Sequence, residues 1–330
     1  GYFPLDWWMF SARAWRRVQP DLVILMEGER WPEHIAQARK RGVPVLAVNA
    51  RLSDRSYSRM KTWRRVAMPL IQRGITRVLA CSEIDAERFR ELGFAAEQVV
   101  VTGNIKWDVT IPPLSADEKA TLRKEAGLGT DARELILLGS STWPGEEEAC
   151  VAALRAVRAA GVTVRLLLVP RHMERRGEVE ALLEKEAAPA RLTWHFRSRG
   201  AAAGAVDIAV GDTTGELRKF TQLADLVFVG KSLGANTEGQ TPVEAAVLGR
   251  AILFGPGMTN FREISARLVK AGAAIVVRNG DELCAAAVRI LSDAALREKM
   301  MAASDACHRV NQGAVARTAG IVVETLKRAR

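Results

Sequence analysis

The sequence predicts an α/β protein made of two doubly wound domains that face each other across a cleft. Short apolar runs rich in β-branched residues alternate with amphipathic helical segments along the whole chain, a pattern typical of parallel sheets. A proline-containing joint from Ile111 to Leu114 separates two series of this alternation. The length of 330 residues also fits two domains. We expect one domain over residues 1–110 and a second over 111–330, with a final helix that crosses back to the first.

In the first half, proline and glycine mark the ends of the predicted helices. Pro32 lies where a first helical turn favours proline, and Gly42 and Gly93 follow helical segments as caps. We expect the first strand to be buried. The predicted helices span 8–18, 32–41, 58–71 and 83–92, and the predicted strands span 22–26, 43–48, 77–81 and 98–102.

The second half continues the alternation, and it contains no short repeat of the solenoid type. A helical region is predicted from about 294 to 330, and Gly313 is expected to break it. The predicted strands span 134–138, 163–169, 194–196, 207–210, 226–229, 251–254 and 274–277. The predicted helices span 145–160, 176–187, 216–224, 244–248, 262–271 and 281–292.

Composition excludes some classes of protein and leaves others open. Lys and Arg number 48 and Asp and Glu number 38, a net charge of +10 that permits binding to nucleic acid, anionic membrane or phosphorylated substrates without choosing among them. Four widely spaced cysteines argue against a disulfide framework or a zinc site and fit a reducing compartment. No run of apolar residues is long enough for a spanning helix. Because the chain begins at Gly1, inside an aromatic-rich segment, we expect its true N-terminus to have been removed.

The stretch from Asp225 to Phe261 is the most informative single segment. A short β-rich run leads into a glycine-rich loop, Pro242 marks a helix start, and Gly249 ends the helix before the next strand. Ligands of parallel sheets bind at the carboxyl ends of the strands, and a helix N-terminus there suits a phosphate. Glu244 would accept hydrogen bonds from sugar hydroxyls. An ordinary βαβ unit, in which the glycines only serve turns, explains the same stretch about equally well.

Polar turns follow four predicted strands of the second domain, at 139–142, 170–175, 211–217 and 231–244. Because the carboxyl ends of parallel strands meet at one sheet edge, these turns predict a nucleotide-sized ligand. Arg171 would hold a phosphate or carboxylate, and His172 is either a further donor or an ordinary loop residue. The candidate nucleotide-binding residues are Ser140, Ser141, Thr142, Arg171, His172, Gly215, Glu216, Leu217, Lys231, Ser232, Gln240, Thr241 and Glu244.

Strand ends of the first domain carry a second polar set. Glu27 and Glu29 follow the first predicted strand, where parallel sheets place chemistry. Arg51 follows the second strand and could pair with a phosphate or carboxylate, although surface solvation explains it about as well. The candidate acceptor-side residues are Arg51, Ser53, Asn104 and Lys106. No metal site is predicted.

Ten segments, in order along nearly the whole chain, carry a family resemblance. They are Y-F-P-L-D at 2–6, M-E-G-E-R-W-P at 26–32, N-A-R-L-S-D-R-S at 49–56, G-N-I-K-W-D at 103–108, G-S-S-T at 139–142 with G-E-E at 145–147, P-R-H at 170–172, G-E-L at 215–217, F-V-G-K-S-L at 228–233 and G-P-x-x-x-N-F at 255–261. With them the chain resembles the Kdo transferases, which move 3-deoxy-D-manno-octulosonic acid (Kdo) from CMP-Kdo to a lipid A precursor. These enzymes have the GT-B fold of two Rossmann-like domains.

The resemblance implies an inverting transfer of Kdo to lipid IVA without a metal, on the cytoplasmic face of the bacterial inner membrane. It implies CMP-Kdo, the lipid A precursor and an anionic membrane surface as partners, no cofactor and no nucleic acid. It puts Arg171, Glu216 and Glu244 near the nucleotide, and Glu29 in the first domain as a supporting carboxylate. It also implies that a membrane anchor and the general-base Glu lie upstream of Gly1. The first domain is then incomplete, and we expect the chain to bind nucleotide weakly and to transfer little sugar.

The sequence departs from the family pattern at two places. It has E-G-Q-T-P-V-E at 238–244, where the family commonly has G-G-H-N-P-L-E, so Gln240 and Thr241 replace a His and an Asn. Trp143 stands where a His is frequent. The alternatives are another GT-B enzyme that uses a UDP-sugar, an inactive transferase fragment, or a basic binding protein for nucleic acid or anionic lipid.

Overall fold

The structure is a computed structural model that describes residues 5–131 and 133–329. Residues 2–4 of the first resemblance segment therefore lie outside the described residues. The chain divides into two compact units, here called unit 1 and unit 2. Unit 1 contains Gly1–Asp108 with Asn311–Arg330, and unit 2 contains Val109–Val310. No helix among the described residues has the length and apolarity that crossing a bilayer requires.

Unit 1 contains a parallel four-stranded sheet in the order β1-β2-β3-β4. Its strands are β1 (Val23–Met26), β2 (Val45–Ala50), β3 (Arg77–Ala80) and β4 (Val99–Val101). Its first five helices are α1 (Trp8–Val18), α2 (Pro32–Arg41), α3 (Asp54–Thr62), α4 (Arg64–Gln72) and α5 (Glu83–Glu91). Every residue of β2 is buried, as expected for an inner strand of a parallel sheet covered on both faces.

Two expectations for unit 1 were wrong. Strand β1 lies at the sheet edge rather than in the interior, and the side chains of Ile24 and Met26 are exposed. The single helix predicted over 58–71 is two helices, because Trp63 leaves helical geometry with φ −95° and ψ 16°. The first of them begins earlier than predicted, at Asp54, because the Ser53 hydroxyl accepts a hydrogen bond from the Ser56 N–H as an N-cap.

Unit 2 contains a parallel seven-stranded sheet in the order β11-β10-β9-β5-β6-β8-β7. Its strands are β5 (Leu135–Thr142), β6 (Val164–Pro170), β7 (Trp194–Phe196), β8 (Ile208–Val210), β9 (Leu226–Val229), β10 (Ala251–Phe254) and β11 (Ala274–Val276). Its helices are α6 (Ala116–Glu125), α7 (Glu146–Ala159), α8 (Arg176–Glu186), α9 (Leu217–Thr221), α10 (Val243–Val247), α11 (Arg262–Lys270), α12 (Gly280–Ser292) and α13 (Ala294–Asn311). The predicted α/β class with parallel sheets is confirmed.

Helix α6 was missed by the sequence reasoning, although a local signal marks it. Ser115 accepts a hydrogen bond from the Glu118 N–H, and the Glu118 carboxylate accepts one from the Ser115 N–H. This reciprocal pair is a capping box, whose S-x-x-E spacing is visible in the sequence.

The order of the strands in unit 2 creates a topological switch point. The chain passes from β5 to β6 on one side and later returns to β9 on the other side of β5. Open parallel sheets bind ligands in the crevice outside the carboxyl ends of the strands at such a point. The strands beneath it are fixed by a fully buried core that includes Phe196, Phe228 and Phe254, each contributing about 2 kcal/mol through burial.

The last helix, α14 (Ala314–Ala329), belongs to unit 1. The Asp108 carboxylate accepts hydrogen bonds from the N–H groups of Gly313 and Val315, at the helix N-terminus. The Arg317 Nε donates to the Thr102 carbonyl oxygen at 2.9 Å. Gly313, at φ 89°, breaks the helical region as predicted, because this left-handed geometry favours glycine.

Candidate functional site

Strained backbone concentrates at the carboxyl ends of strands. The residues other than glycine that have positive φ, within the described ranges, are Gln19, Glu27, Asn49, Ser141, Arg191 and Lys231. Gln19 and Arg191 follow helical turns as C-caps. The other four lie at or beside the ends of β1, β2, β5 and β9. Such geometry costs about 1–2 kcal/mol per residue and clusters at functional sites, which directs attention to these strand ends.

A buried carboxylate joins the ends of β5 and β9 in unit 2. The Glu146 side chain accepts hydrogen bonds from the N–H groups of Trp143, Lys231, Ser232 and Leu233, at 2.8–3.0 Å. Burial raises the pKa of Glu146, although the four N–H donors favour its charged form. Because this carboxylate fills the concave backbone after β9, those N–H groups do not face a ligand. The role of Glu146 was missed, and its signal was only a run of three acids at the start of α7.

Gly230 brings the carboxyl end of β5, where the sequence predicted a polar turn over 139–142, against the turn after β9. A Cβ atom on Gly230 would lie 2.4 Å from the Ser141 carbonyl oxygen and 2.7 Å from the Thr142 Cα, so no larger residue fits. Ser140, Ser141 and Thr142 are all buried. The Thr142 hydroxyl is fully buried and has no hydrogen-bond partner among the described residues, and the expected role of Thr142 as a donor to a ligand stays a prediction. The Thr142 carbonyl oxygen instead accepts a hydrogen bond from the Arg171 N–H.

Cationic and aromatic side chains surround the switch point. Within the described part of the chain, the exposed Arg171 guanidinium has neither a hydrogen-bond nor an ion-pair partner. The Lys231 Nζ lies 4.4 Å from the centroid of the Trp143 ring and pairs with the Glu238 carboxylate. The His172 ring meets the same tryptophan edge-on, at 5.3 Å between centroids. Trp143 thus lies between the turns that follow β6 and β9.

The turn after β8 holds two carboxylates with different surroundings. Glu216 accepts a hydrogen bond from the Thr213 hydroxyl and lies 3.4 Å from the Arg197 Nε. Gly215 has a φ of 86°, and Leu217 begins α9 directly after Glu216. Asp212, which the sequence reasoning did not select, is buried.

Asp212 links this turn to neighbouring segments. Its carboxylate accepts hydrogen bonds from the Ser198 N–H at 2.9 Å and the Ser198 hydroxyl at 2.6 Å, and it pairs with the Arg176 guanidinium. Burial works to raise the pKa of Asp212, but these bonds outweigh it and hold the pKa below its ordinary value.

Replacing Asp212 by asparagine is expected to reduce the loss in the free energy of unfolding that occurs when the pH is lowered. A carboxyl whose pKa is lowered by folding stabilises the protein above the unfolded-state pKa of about 3.9, and this contribution is lost as the pH falls through the folded-state pKa. Urea unfolding of the native chain and of Asp212→Asn, measured between pH 7 and pH 3, checks this. The variant should be less stable at pH 7 and should lose less stability on acidification. Parallel curves would contradict the assignment.

The loop from Lys231 to Gln240 is closed by its own backbone. The Gly239 N–H donates to the Lys231 carbonyl oxygen, and the Gln240 N–H donates to the Gly230 carbonyl oxygen. The Ser232 hydroxyl is buried, donating to the Val229 carbonyl oxygen and accepting from the Gly255 N–H. The Ser232 hydroxyl therefore donates and accepts within the loop, and the role of Ser232 in nucleotide binding stays a prediction.

Helix α10 has five residues, as many as the helix predicted over 244–248. The Thr241 hydroxyl accepts a hydrogen bond from the Val243 N–H, so this N–H group is already used within the protein. The half-buried Glu244 carboxylate lies 3.4 Å from the Nε of Arg218, a residue of α9.

Unit 1 carries a separate charged cluster. The Glu27 carboxylate lies 2.8 Å from an Arg51 guanidinium nitrogen and 2.7 Å from the Lys106 Nζ. The side-chain oxygen of Asn49 accepts a hydrogen bond from the Ile105 N–H, and that of Asn104 accepts one from the Lys106 N–H. Burial works to raise the pKa of Glu27, but Lys106 and Arg51 outweigh it and hold the pKa below its ordinary value. The cluster joins the turns that follow β1, β2 and β4.

Two candidate residues of unit 1 lie outside this cluster. Glu29 is exposed and makes no ion pair within the described residues, whereas Glu27 pairs with Arg51. The role of Glu29 as a supporting carboxylate stays a prediction. The Ser53 side chain caps α3, and this local role accounts for it.

Known proteins resemble this chain in sequence and in fold. The family model for 3-deoxy-D-manno-octulosonic-acid transferase matches residues 1–109. The 3-deoxy-D-manno-octulosonic acid transferase of Bordetella pertussis is 34% identical over 323 residues, which cover 96% of this chain and 72% of the relative. The transferase of the same name from Haemophilus influenzae is 32% identical, over 99% of this chain and 75% of the relative.

Solved structures with low sequence identity show the likeness of fold. The C-terminal CMP-Kdo binding domain of WaaA from Acinetobacter baumannii has a TM-score of 0.52 and 24% identity, and the match covers 60% of this chain and 97% of that one. Anabaena HepE in complex with UDP has a TM-score of 0.63 and 16% identity, over 97% of this chain and 82% of that one. The fold is thus that of GT-B glycosyltransferases and epimerases. On sequence identity and coverage, the chain belongs to the 3-deoxy-D-manno-octulosonic acid transferase family.

Proposed function

We propose that this protein transfers Kdo from CMP-Kdo to a lipid A precursor such as lipid IVA. Membership in the family supports the reaction class. The observation that carries the proposal for the donor is the Arg171 guanidinium after β6, which is exposed and has no partner among the described residues, and which lies beside the carboxyl end of β5. A planar guanidinium at a topological switch point suits the phosphate of a nucleotide.

In the proposed site, neighbouring turns bind different parts of the donor. Arg171 and the backbone around Ser140 and Ser141 meet the phosphate. Glu216 and Glu244 accept hydrogen bonds from the nucleoside, either from ribose hydroxyls or from donors on the edge of the base. When the acceptor oxygen bonds to the anomeric carbon and gives up its proton, the bond from that carbon to the phosphate oxygen breaks, and CMP leaves with one more negative charge. Positive charge and N–H donors stabilise this developing charge without a metal. The reaction inverts the anomeric configuration and needs no cofactor.

The acceptor side of the proposal rests on unit 1. Arg51 and Lys106 present two cations that suit an anionic group of the lipid A precursor, while Asn104 fixes the turn that carries Lys106. The net charge of +10 is compatible with an anionic membrane surface, which the family resemblance implies as a partner. The proposed location is the cytoplasmic face of the inner membrane, without a nucleic-acid partner.

Titration with CMP and UDP tests the donor assignment. We expect the chain to bind CMP at least tenfold more tightly than UDP. Arg171→Met should weaken CMP binding about tenfold to hundredfold, since a hydrogen bond between charged groups contributes about 1.5–3 kcal/mol. Arg155→Met, which changes an exposed arginine in the middle of α7, is the matched control and should leave affinity unchanged. Equal losses in the two variants would contradict the role of Arg171.

A second candidate is a GT-B enzyme that uses a UDP-sugar. The specific observation in its favour is the fold likeness to HepE, which was solved with UDP. The same titration separates the candidates, because this reading expects UDP to bind more tightly than CMP. Transfer from CMP-Kdo that persists in EDTA would support the metal-independent reaction, and loss of transfer would overturn that part of the proposal.

A further inference from the structure

Lys231 has a fixed backbone and a side chain that can be redirected. It follows β9 with a φ of 55°, a conformation that L residues rarely adopt. Its N–H donates to the buried Glu146 carboxylate, and its carbonyl oxygen accepts from the Gly239 N–H. A lysine at a position whose backbone geometry favours glycine directs attention to a function of its side chain.

The ammonium group of Lys231 already contacts a carboxylate. Its partner Glu238 has a half-exposed side chain, so solvent reaches the ion pair from the carboxylate side. The Trp143 ring supports the other side of the ammonium through a cation–π contact at 4.4 Å. A carboxylate from a ligand can therefore replace Glu238 while Trp143 keeps the lysine in place.

The arrangement offers two cations of different shape. Arg171 follows β6 and Lys231 follows β9, with β5 between them, so their backbones are separated by two strand spacings, about 10 Å. Their long side chains can converge over Trp143. The planar guanidinium matches the tetrahedral oxygens of a phosphate, whereas the ammonium is a point charge that suits a single carboxylate. A nucleotide-linked 2-ulosonic acid carries both groups, because its anomeric carbon bears the phosphate oxygen and the carboxylate.

We propose that Lys231, held on the Trp143 ring, recognises the carboxylate of the sugar acid in the donor and thereby selects CMP-linked sugar acids over free CMP. This inference rests on the proposed function and assigns it a specificity-determining residue. Arg171 serves the phosphate, which both ligands share, and Lys231 serves the carboxylate, which only the sugar nucleotide has.

Paired titrations of the full chain with CMP and with CMP-Kdo test the assignment. In Lys231→Met, the methionine side chain is similar in length to lysine and the residue must adopt the same positive φ, but the charge is removed. It should weaken CMP-Kdo binding about tenfold or more while CMP binding stays within twofold. Lys231→Arg should restore most of the affinity for CMP-Kdo. Arg171→Met, in contrast, should weaken the binding of both ligands.

The outcomes separate this inference from the proposed function. If Lys231→Met lost affinity for CMP and CMP-Kdo equally, Lys231 would contact the nucleotide and not the sugar carboxylate. If it lost affinity for neither ligand, Lys231 would be a loop residue without a binding role. Either result would overturn the inference and leave the proposed function standing. Failure of the native chain to bind CMP would overturn the proposed function together with the inference. A purely structural role of Lys231 would not change the ratio of the two affinities, which is the quantity measured.

Discussion

Replacing Glu146 by alanine is expected to destabilise unit 2 by about 3 kcal/mol or more. The carboxylate is buried and accepts four backbone hydrogen bonds, from Trp143 and from three consecutive residues that begin at Lys231. Each buried donor left unsatisfied costs about 1–3 kcal/mol, and water entering the cavity recovers only part of the total. Urea denaturation followed by circular dichroism gives the free energy of unfolding.

Glu148→Ala is the matched control for this experiment. Glu148 lies on the same first turn of α7 but is exposed. Its loss removes only a favourable interaction with the helix N-terminus, about 0.3–1 kcal/mol. If Glu146→Ala were no more destabilising than Glu148→Ala, the view that this carboxylate ties β5 to β9 would be wrong. If the view is right, CMP affinity should also fall in Glu146→Ala, because the turns around Ser141 and Lys231 are no longer held against each other.

The fold could be predicted closely because it depends on periodicity and on local stop signals. Alternating apolar runs predicted each strand, and glycines such as Gly42 and Gly313 marked helix ends through their left-handed geometry. One error arose where contacts between residues distant in the sequence determine the position of a strand in the sheet. Whether the run at 22–26 is an inner or an edge strand depends on which strands pair with it, and its sequence is apolar in either case. Helix α6 was missed because its amphipathic pattern is weak, although its capping box was visible.

The sequence predicted which turns form the candidate site better than which side chains act in it. Strand ends could be located from the pattern, and parallel pairing brings them to one edge. Backbone torsion decides which of two nearby carboxylates points toward a cationic side chain. Glu27 has a left-handed φ and pairs with Arg51 and Lys106, whereas Glu29 is exposed. The Ser232 hydroxyl is likewise buried, and no spacing rule predicts its backbone partners.

Replacing Gly255 by alanine is expected to destabilise unit 2 by about 3 kcal/mol or more, through crowding alone. A Cβ atom at this position would lie 2.0 Å from the Ser232 carbonyl oxygen and 2.8 Å from the Leu233 Cα. These are backbone atoms, so no side-chain rotation can relieve the contact. The φ of Gly255 is outside the left-handed region, which leaves steric overlap as the cause. Overpacking costs about 1–3 kcal/mol where neighbours can adjust, and more where they cannot. Urea unfolding of the native chain and the variant measures the difference.

Gly177→Ala separates crowding from the general effect of adding a methyl group. Gly177 lies in α8, and a Cβ atom there would meet nothing within 4 Å. Alanine should therefore stabilise this helix by about 0.5–1 kcal/mol. A loss of less than 1 kcal/mol in Gly255→Ala would mean that the loop after β9 can move away from β10. The Gly255 N–H donates to the Ser232 hydroxyl at 2.8 Å, so such a movement would break that bond. It would also displace Lys231 from Trp143. CMP-Kdo affinity would then fall in Gly255→Ala even though its free energy of unfolding changes by less than 1 kcal/mol.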